Sequence, residues 1–91
     1  MMDPIELIAK AREQMLALDE AYTDLPLFES VRNQLDYLSS LADGTSGDRT
    51  KLSRVIVGVQ AAREIEPLDL ELAMTLHEIQ GWADQLLRSG E

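Results

Sequence analysis

The chain has 91 residues, of which 17 are acidic and 8 are basic, so its formal net charge is −9 with the histidine neutral. A chain of this length has room for one modest core, and we expect one domain over residues 1–91. The acidic excess disfavours nucleic acid and anionic membranes as partners, and the absence of cysteine excludes disulfides and thiol nucleophiles.

Apolar residues that recur every three or four positions predict an all-α fold, a compact antiparallel bundle of about four helices. The first helix, about residues 4–22, should begin after the N-cap Asp3, with Pro4 in its first position and Glu6 placed for a capping box. Its predicted apolar stripe consists of Ile5, Ile8, Ala11, Met15, Leu18 and Tyr22. A break at residues 23–26 precedes the second helix, about residues 26–42, whose stripe consists of Leu27, Phe28, Val31, Leu35, Leu38 and Ala42.

A glycine-rich polar loop at residues 43–48 separates these helices from the third, which we predict over about residues 49–65. Its main stripe consists of Leu52, Val55, Ile56, Val59 and Ala62. Val57 and Ala61 lie on the opposite side, so this helix is apolar on two faces and is predicted to be central, although it is the only basic element. Gly58 within it indicates the close approach of a neighbouring helix.

The fourth helix, about residues 69–88, should be capped by Asp69 and should fray from Ser89 to the end of the chain. Leu72, Leu76, Ile79, Ala83 and Leu86 form a nearly heptad seam along it, so we expect it to pack lengthwise on the bundle. From all four helices, the residues predicted to be in the core are Leu35, Leu52, Gly58, Val59 and Leu76.

The sequence has no constellation that indicates catalysis, a cofactor or a metal. His77 is the only imidazole, and it falls on the outer face of the fourth helix. A ferritin-like site would need a second histidine, and the loop at residues 43–48 has neither the glycine nor the final glutamate of a calcium loop in the required positions. We therefore predict no enzymatic activity, no catalytic residue, no cofactor and no metal ion.

Four segments carry a resemblance to a known family. They are Pro4-Ile5-Glu6, Gln34-Leu35-Asp36-Tyr37 with Ser40-Leu41, a pattern from Asp48-Arg49 through Leu52, Arg54, Gly58 and Ala61 to Glu64, and Asp69 with Glu71-Leu72. In this order they resemble the small helical immunity proteins that protect bacteria from type VI secretion toxins with NAD(P)+ glycohydrolase activity. The similarity covers about residues 4–80.

The resemblance implies a non-catalytic protein that binds the catalytic domain of its toxin and blocks the active site before cytoplasmic NAD(P)+ is consumed. A cleft that holds a pyrophosphate should be electropositive, and an acidic inhibitor suits such a cleft. We expect aromatic rings at the core edge and nearby acids to form the interface. The residues predicted for it are Gln34, Tyr37, Glu64, Asp69, Glu71, Glu78 and Trp82.

Two alternatives remain open at this stage. The first is an acidic helical adaptor or homodimerisation module without a toxin partner, in which the seam of the fourth helix pairs with a second copy. Such a homodimer is also conceivable for the free immunity protein. The second is a small carboxylate-dependent hydrolase. The first residues carry no secretory signal pattern and no apolar run reaches the length of a membrane span, so we expect a cytoplasmic protein.

Overall fold

The first two helices form close to where the sequence predicts them. A computed structural model of the chain describes residues 3–22 and 25–89. Helix α1 spans Pro4–Ala21 and helix α2 spans Pro26–Ala42, so α1 ends one residue before its predicted end. The carboxylate of Asp3 accepts a hydrogen bond from the backbone N–H of Ile5 at 2.8 Å, which confirms this residue as the N-cap of α1.

The beginning and end of α2 follow from the residues that flank it. Leu25 is extended, as the residue before a proline prefers to be, and Pro26 occupies the first helical turn. After α2 ends, Gly44 has a φ of +82°, in the left-handed region that glycine enters without strain. Two predicted features, the part of the first break at residues 23–24 and the fraying of residues 90–91, lie outside the described residues.

The prediction of one continuous helix over residues 49–65 is wrong. The chain instead forms a 3₁₀ turn at Leu52–Arg54, passes through an extended residue, and becomes helical only at Val57. The α-helical turn Val57–Gln60 then runs directly into a π-helical turn, Ala61–Ile65. We call residues 57–65 the third helical segment.

Glutamine side chains from both neighbouring helices replace the missing helical hydrogen bonds at this break. Gln34 of α2 accepts the backbone N–H of Ile56 on its Oε1 at 2.7 Å. From the other side, Gln80 donates to the carbonyl of Val55 at 3.0 Å and accepts the N–H of Gly58 at 3.0 Å. Because these backbone groups lack helical partners at the break, the bonds from the two glutamines allow the chain to leave helical geometry there.

The late start of the third helical segment changes which of its residues are buried. Val59, predicted to be in the core, is 48% exposed, and Ile56 is 45% exposed. The buried side of the segment consists of Val57, Gly58, Ala61 and Ile65. The segment therefore lies at the edge of the bundle with one apolar face turned outward, and the prediction of a central helix is also wrong.

Helix α4 spans Leu70–Ser89, close to the predicted 69–88. Asp69 accepts the backbone N–H of Leu72 at 3.1 Å, which confirms the predicted cap. Its seam faces inward, because Leu72, Leu76, Ile79 and Ala83 are at most 1% exposed. α4 packs against α1 on one side and against the third helical segment on the other.

The described residues form an all-α antiparallel bundle with one hydrophobic core to which all four helical elements contribute. Of the five predicted core residues, Leu35, Leu52, Gly58 and Leu76 are buried. A Cβ atom added at Gly58 would lie 2.9 Å from both Cβ and Cγ of Gln80, so the predicted close approach of a helix at this glycine is confirmed. No helix of the described residues is long and apolar enough to cross a membrane.

Candidate functional site

The seven predicted interface residues lie on α2, on the third helical segment and on α4 with its cap. Gln34 and Tyr37 lie on α2, beside a shallow pocket that Lys51 and Arg54 also line. The hydroxyl of Tyr37 donates to the backbone carbonyl of Asp48 at 2.8 Å, and the ring packs against the core. The charged residues that line this pocket, Lys51 and Arg54, are basic, whereas the four acids predicted for the interface lie between residues 64 and 78.

The amide of Gln34 is fully used within the chain. Its Nε2 donates to Oε1 of Gln60 at 2.9 Å and lies 3.2 Å from the hydroxyl of Ser30, while its Oε1 accepts the N–H of Ile56. A side-chain amide has two N–H donors and one carbonyl oxygen, and all of them have partners here. The structural role of Gln34 is therefore to hold α2 against the start of the third helical segment.

Two of the predicted acids lie where the third helical segment turns into α4. Glu64 is exposed on the π-helical turn, whereas Asp69 is partly buried as the cap of α4. Substitution of Asp69 by a basic residue would remove the cap as well as the charge. A change that removes only the charge is Asp69→Asn, because asparagine caps helices about as well as aspartate does.

Glu71, Glu78 and Trp82 lie along one side of α4. At 100° per residue, Glu71 and Glu78 differ by about 20° around the helix axis, and Trp82 follows at the edge of the same side. Leu70 and Met74 project from this side too, and they are 59% and 57% exposed. We call Leu70, Glu71, Met74 and Glu78 the α4 outer face.

The two apolar members of the α4 outer face were missed in the sequence. Met74 falls two residues after Leu72 and two before Leu76, outside the inward seam. That position is the signal that could have identified it, since a large apolar residue off the seam must face solvent or a partner. Apolar side chains flanked by acids make this face suitable for a basic protein surface with an apolar centre.

Trp82 borders a groove that joins α4 to the beginning of α1. The groove has a volume of about 350 Å³ and is lined by Pro4, Leu7, Glu78, Gly81, Trp82, Gln85 and Arg88. We call it the Trp82 groove. Leu7 is buried at its base and Trp82 is half-buried, so the groove has an apolar floor between two charged side chains.

The titratable groups with displaced pKa values lie far from the α4 outer face in sequence and show no catalytic arrangement. The backbone N–H and then the hydroxyl of Thr45 lower the pKa of Asp43, and the hydroxyl and N–H of Thr50 lower the pKa of Asp48. These are exposed turns in which a side chain stabilises the backbone.

His77 is exposed on α4, and its Nε2 lies 3.1 Å from Oε2 of Glu66. No hydroxyl of the described residues is hydrogen-bonded to this imidazole. Within residues 3–22 and 25–89, no group of three or more His, Cys, Asp or Glu side chains is placed to hold a metal ion.

A protein-family model, Tsi6, matches residues 3–85 of the chain. The chain belongs to the Tsi6 family. Tsi6 is a family of type VI secretion immunity proteins, and membership implies that the partner is a protein toxin. None of the curated proteins and none of the solved structures compared with the chain matches it.

This Tsi6-family protein also has a groove of about 560 Å³ between α1 and α2, which the exposed Ile5 and Leu16 line. We call it the α1–α2 groove. Arg12 and Asp36 form an ion pair across it, and Glu13 adds a further charge to its rim. This rim mixes both signs, unlike the acidic α4 outer face.

The α1–α2 groove was also missed in the sequence, because Ile5 was predicted to be in the core stripe of α1 and is 50% exposed. Tyr22, the last residue of that predicted stripe, is likewise exposed, whereas Leu7 is buried. The true inward face of α1 is rotated toward Leu7 because α4 packs beside it.

Proposed function

We propose that this Tsi6-family protein acts in the cytoplasm as a stoichiometric inhibitor of a secreted NAD(P)+ glycohydrolase toxin, without catalytic activity of its own. In this proposal it binds the catalytic domain of the toxin and blocks the active site. Family membership supports the immunity role and the protein partner. The resemblance of the sequence to immunity proteins of NAD(P)+ glycohydrolase toxins supports NAD(P)+ hydrolysis as the activity of the toxin.

The observation that carries the proposed binding mode is the α4 outer face. Leu70 and Met74 are more than half exposed, and Glu71 and Glu78 lie beside them on the same side of the helix. A cleft that binds the pyrophosphate of NAD(P)+ should present cationic side chains and backbone N–H groups. The two acids can pair with such groups, while the exposed Met74 supplies an apolar contact.

The decisive experiment mixes the toxin domain with increasing amounts of the protein and follows NAD+ consumption. We expect inhibition to be complete near one protein per toxin, and the two chains to elute together in size-exclusion chromatography. Inhibition that continues to grow well beyond equimolar ratio would contradict the proposed blocking mechanism. NAD+ consumption by this protein alone would contradict its assignment as a non-enzyme.

The role of charge can be tested with a matched pair of double variants. Glu71→Lys/Glu78→Lys reverses two acids seven residues apart on α4, and Glu13→Lys/Glu20→Lys does the same on exposed positions of α1. Both variants change the net charge equally. We expect the α4 variant to associate about tenfold more slowly at low salt, and the difference to shrink at high salt. Equal rates for the two variants would place the footprint elsewhere.

The homodimer alternative required the α4 seam to be free for a second copy, and this seam is buried within the chain. Leu72, Leu76 and Ile79 of the α4 seam are at most 1% exposed, because α1 and the third helical segment cover them. A second copy would therefore have to bind a different surface. Sedimentation of the free protein tests this alternative directly, and a mass of one chain at micromolar concentration is the result we expect.

A further inference from the structure

The Trp82 groove has a feature that the packing of this chain does not require. Gly81 lies in the middle of α4, where glycine costs about 1 kcal/mol relative to alanine. A Cβ atom added at Gly81 would meet nothing within 4 Å. Gly58 is different, because a Cβ there would collide with Gln80. Internal packing thus accounts for the glycine at 58 and not for the glycine at 81.

The missing side chain at Gly81 opens the middle of the Trp82 groove. With Leu7 at the base and the ring of Trp82 as a wall, the groove has an apolar centre of a size that accepts a large side chain. Trp82 also lines a second groove of about 330 Å³, together with Pro4. A partly buried tryptophan that lines two grooves at the edge of a core is typical of binding hot spots.

The two ends of the Trp82 groove carry opposite charges. Glu78 and Arg88 are ten residues apart on α4, a distance of about 15 Å along the helix axis. Both are exposed, and neither forms an ion pair with another described residue. An occupant that lies along the groove is therefore oriented by its own charges, with a cationic group at Glu78 and an anionic group at Arg88.

We infer that the Trp82 groove receives a segment of the toxin that carries a cationic side chain at the Glu78 end, an anionic side chain at the Arg88 end and an apolar side chain over Gly81. This inference rests on the proposed function and deepens it, since it names the chemistry of the bound element. It also extends the interface from the α4 outer face to the first turn of α1, where Pro4 and Leu7 complete the groove.

A larger side chain at residue 81 tests the proposed contact of an apolar toxin side chain at the centre of the Trp82 groove. Gly81→Leu places a side chain in the space reserved for the partner, and the open surroundings of Gly81 allow this without a collision at Cβ. We expect Gly81→Leu to raise the Kd for the toxin domain at least about tenfold, with an unchanged or higher melting temperature of the free protein. Gly81→Ala should have a smaller effect on binding in the same direction.

The matched control is Ala17→Leu, which adds a similar side chain at an exposed position of α1 outside the groove and should leave the Kd unchanged. If Gly81→Leu binds the toxin as tightly as the unaltered protein, the groove is not the binding site and the inference is wrong, while the proposed function stands. If the unaltered protein fails to bind the toxin, the proposed function fails and the inference fails with it.

Reversal of Arg88 tests the orientation. An occupant with opposite charges at its ends predicts that Arg88→Glu weakens binding, by about threefold to tenfold at low salt. A uniformly cationic occupant predicts the reverse, because the substitution would extend the acidic surface. Tighter binding by Arg88→Glu would overturn the proposed orientation, and an equal loss in 1 M salt and at low salt would show that charge is not responsible.

Discussion

The pair of helices α1 and α4 and the segment at residues 43–65 are stabilised in different ways. α1 and α4 are regular helices that pack along each other through apolar residues at helical spacing. The segment at residues 43–65 contains a loop, a 3₁₀ turn, one short α-helical turn and a π-helical turn. Its backbone is held by Gln34 and Gln80 and by the hydroxyl of Tyr37. Apolar periodicity thus shapes the first region, and polar side chains of neighbouring helices shape the second.

The largest effect should come from the regular region. Leu76→Ala removes a completely buried side chain from the α4 seam and should lower the free energy of unfolding by about 2–5 kcal/mol, measured by urea denaturation. Met74→Ala, two residues away on the exposed side of the same helix, should change it by less than about 0.5 kcal/mol. Equal losses for the two variants would show that the seam does not determine the stability of α4.

Alanine substitutions at two glycines, one in each region, should change the free energy of unfolding in opposite directions. Gly58→Ala should lower the free energy of unfolding by about 1–3 kcal/mol, because its Cβ would collide with Cβ of Gln80, an atom fixed close to the backbone. Gly81→Ala should instead raise it by about 0.5–1 kcal/mol, since alanine is the better helix former and has free space there. The same sign of change for both variants would contradict this distinction.

Removal of the Gln80 side chain should destabilise the backbone at residues 55–58, where the break leads into the third helical segment. Gln80→Ala leaves the N–H of Gly58 and the carbonyl of Val55 without their partner, which should lower the free energy of unfolding by about 1–2 kcal/mol. The amide proton of Gly58 should also exchange faster. Gln85→Ala, an exposed glutamine on the same helix, serves as the control. Unchanged exchange at Gly58 would mean that the break does not depend on this residue.

The smallest effect concerns the acid sensitivity of the loop. The folded pKa values of Asp43 and Asp48 lie below the ordinary 3.8, so each turn contributes stability above pH 3.8 and loses it as the pH falls through the folded pKa. NMR should show the amide protons of Thr45 and Thr50 shifting at a pH below 3.8, while amides in the middle of α4 stay in place. Asp43→Asn retains an acceptor without a titration, and the shift at Thr45 should disappear. A shift that persists in this variant would have another cause.

Part of the candidate site could also be predicted from the sequence. Glu71, Glu78 and Trp82 stay predictions, but their placement along one side of α4 follows from their spacing, because this helix was predicted nearly correctly. Leu70 and Met74 lie outside the predicted seam, and they were missed because only polar and aromatic residues were considered for the interface.

Gln34 and Tyr37 were predicted to face a partner, and the structure shows them bonded within the chain to residues that the sequence could not place beside them. Their contacts with Ile56 and Asp48 join α2 to the segment at residues 43–65, whose path was predicted wrongly. A surface residue can be assigned to an interface only after its partners within the chain are known.

The sequence by itself determined the acidic charge, the all-α class and the starts of α1, α2 and α4. These features depend on residues a few positions apart, such as the caps Asp3 and Asp69 and the proline at residue 26. Only the tertiary structure decided where the third helical segment begins. Gln34 lies 22 residues from the N–H that it accepts, and Gln80 lies 25 residues from the carbonyl to which it donates. Such bonds form only after the helices have packed, so the break and the outward turn of Val59 follow from packing, while apolar periodicity alone predicts a continuous helix.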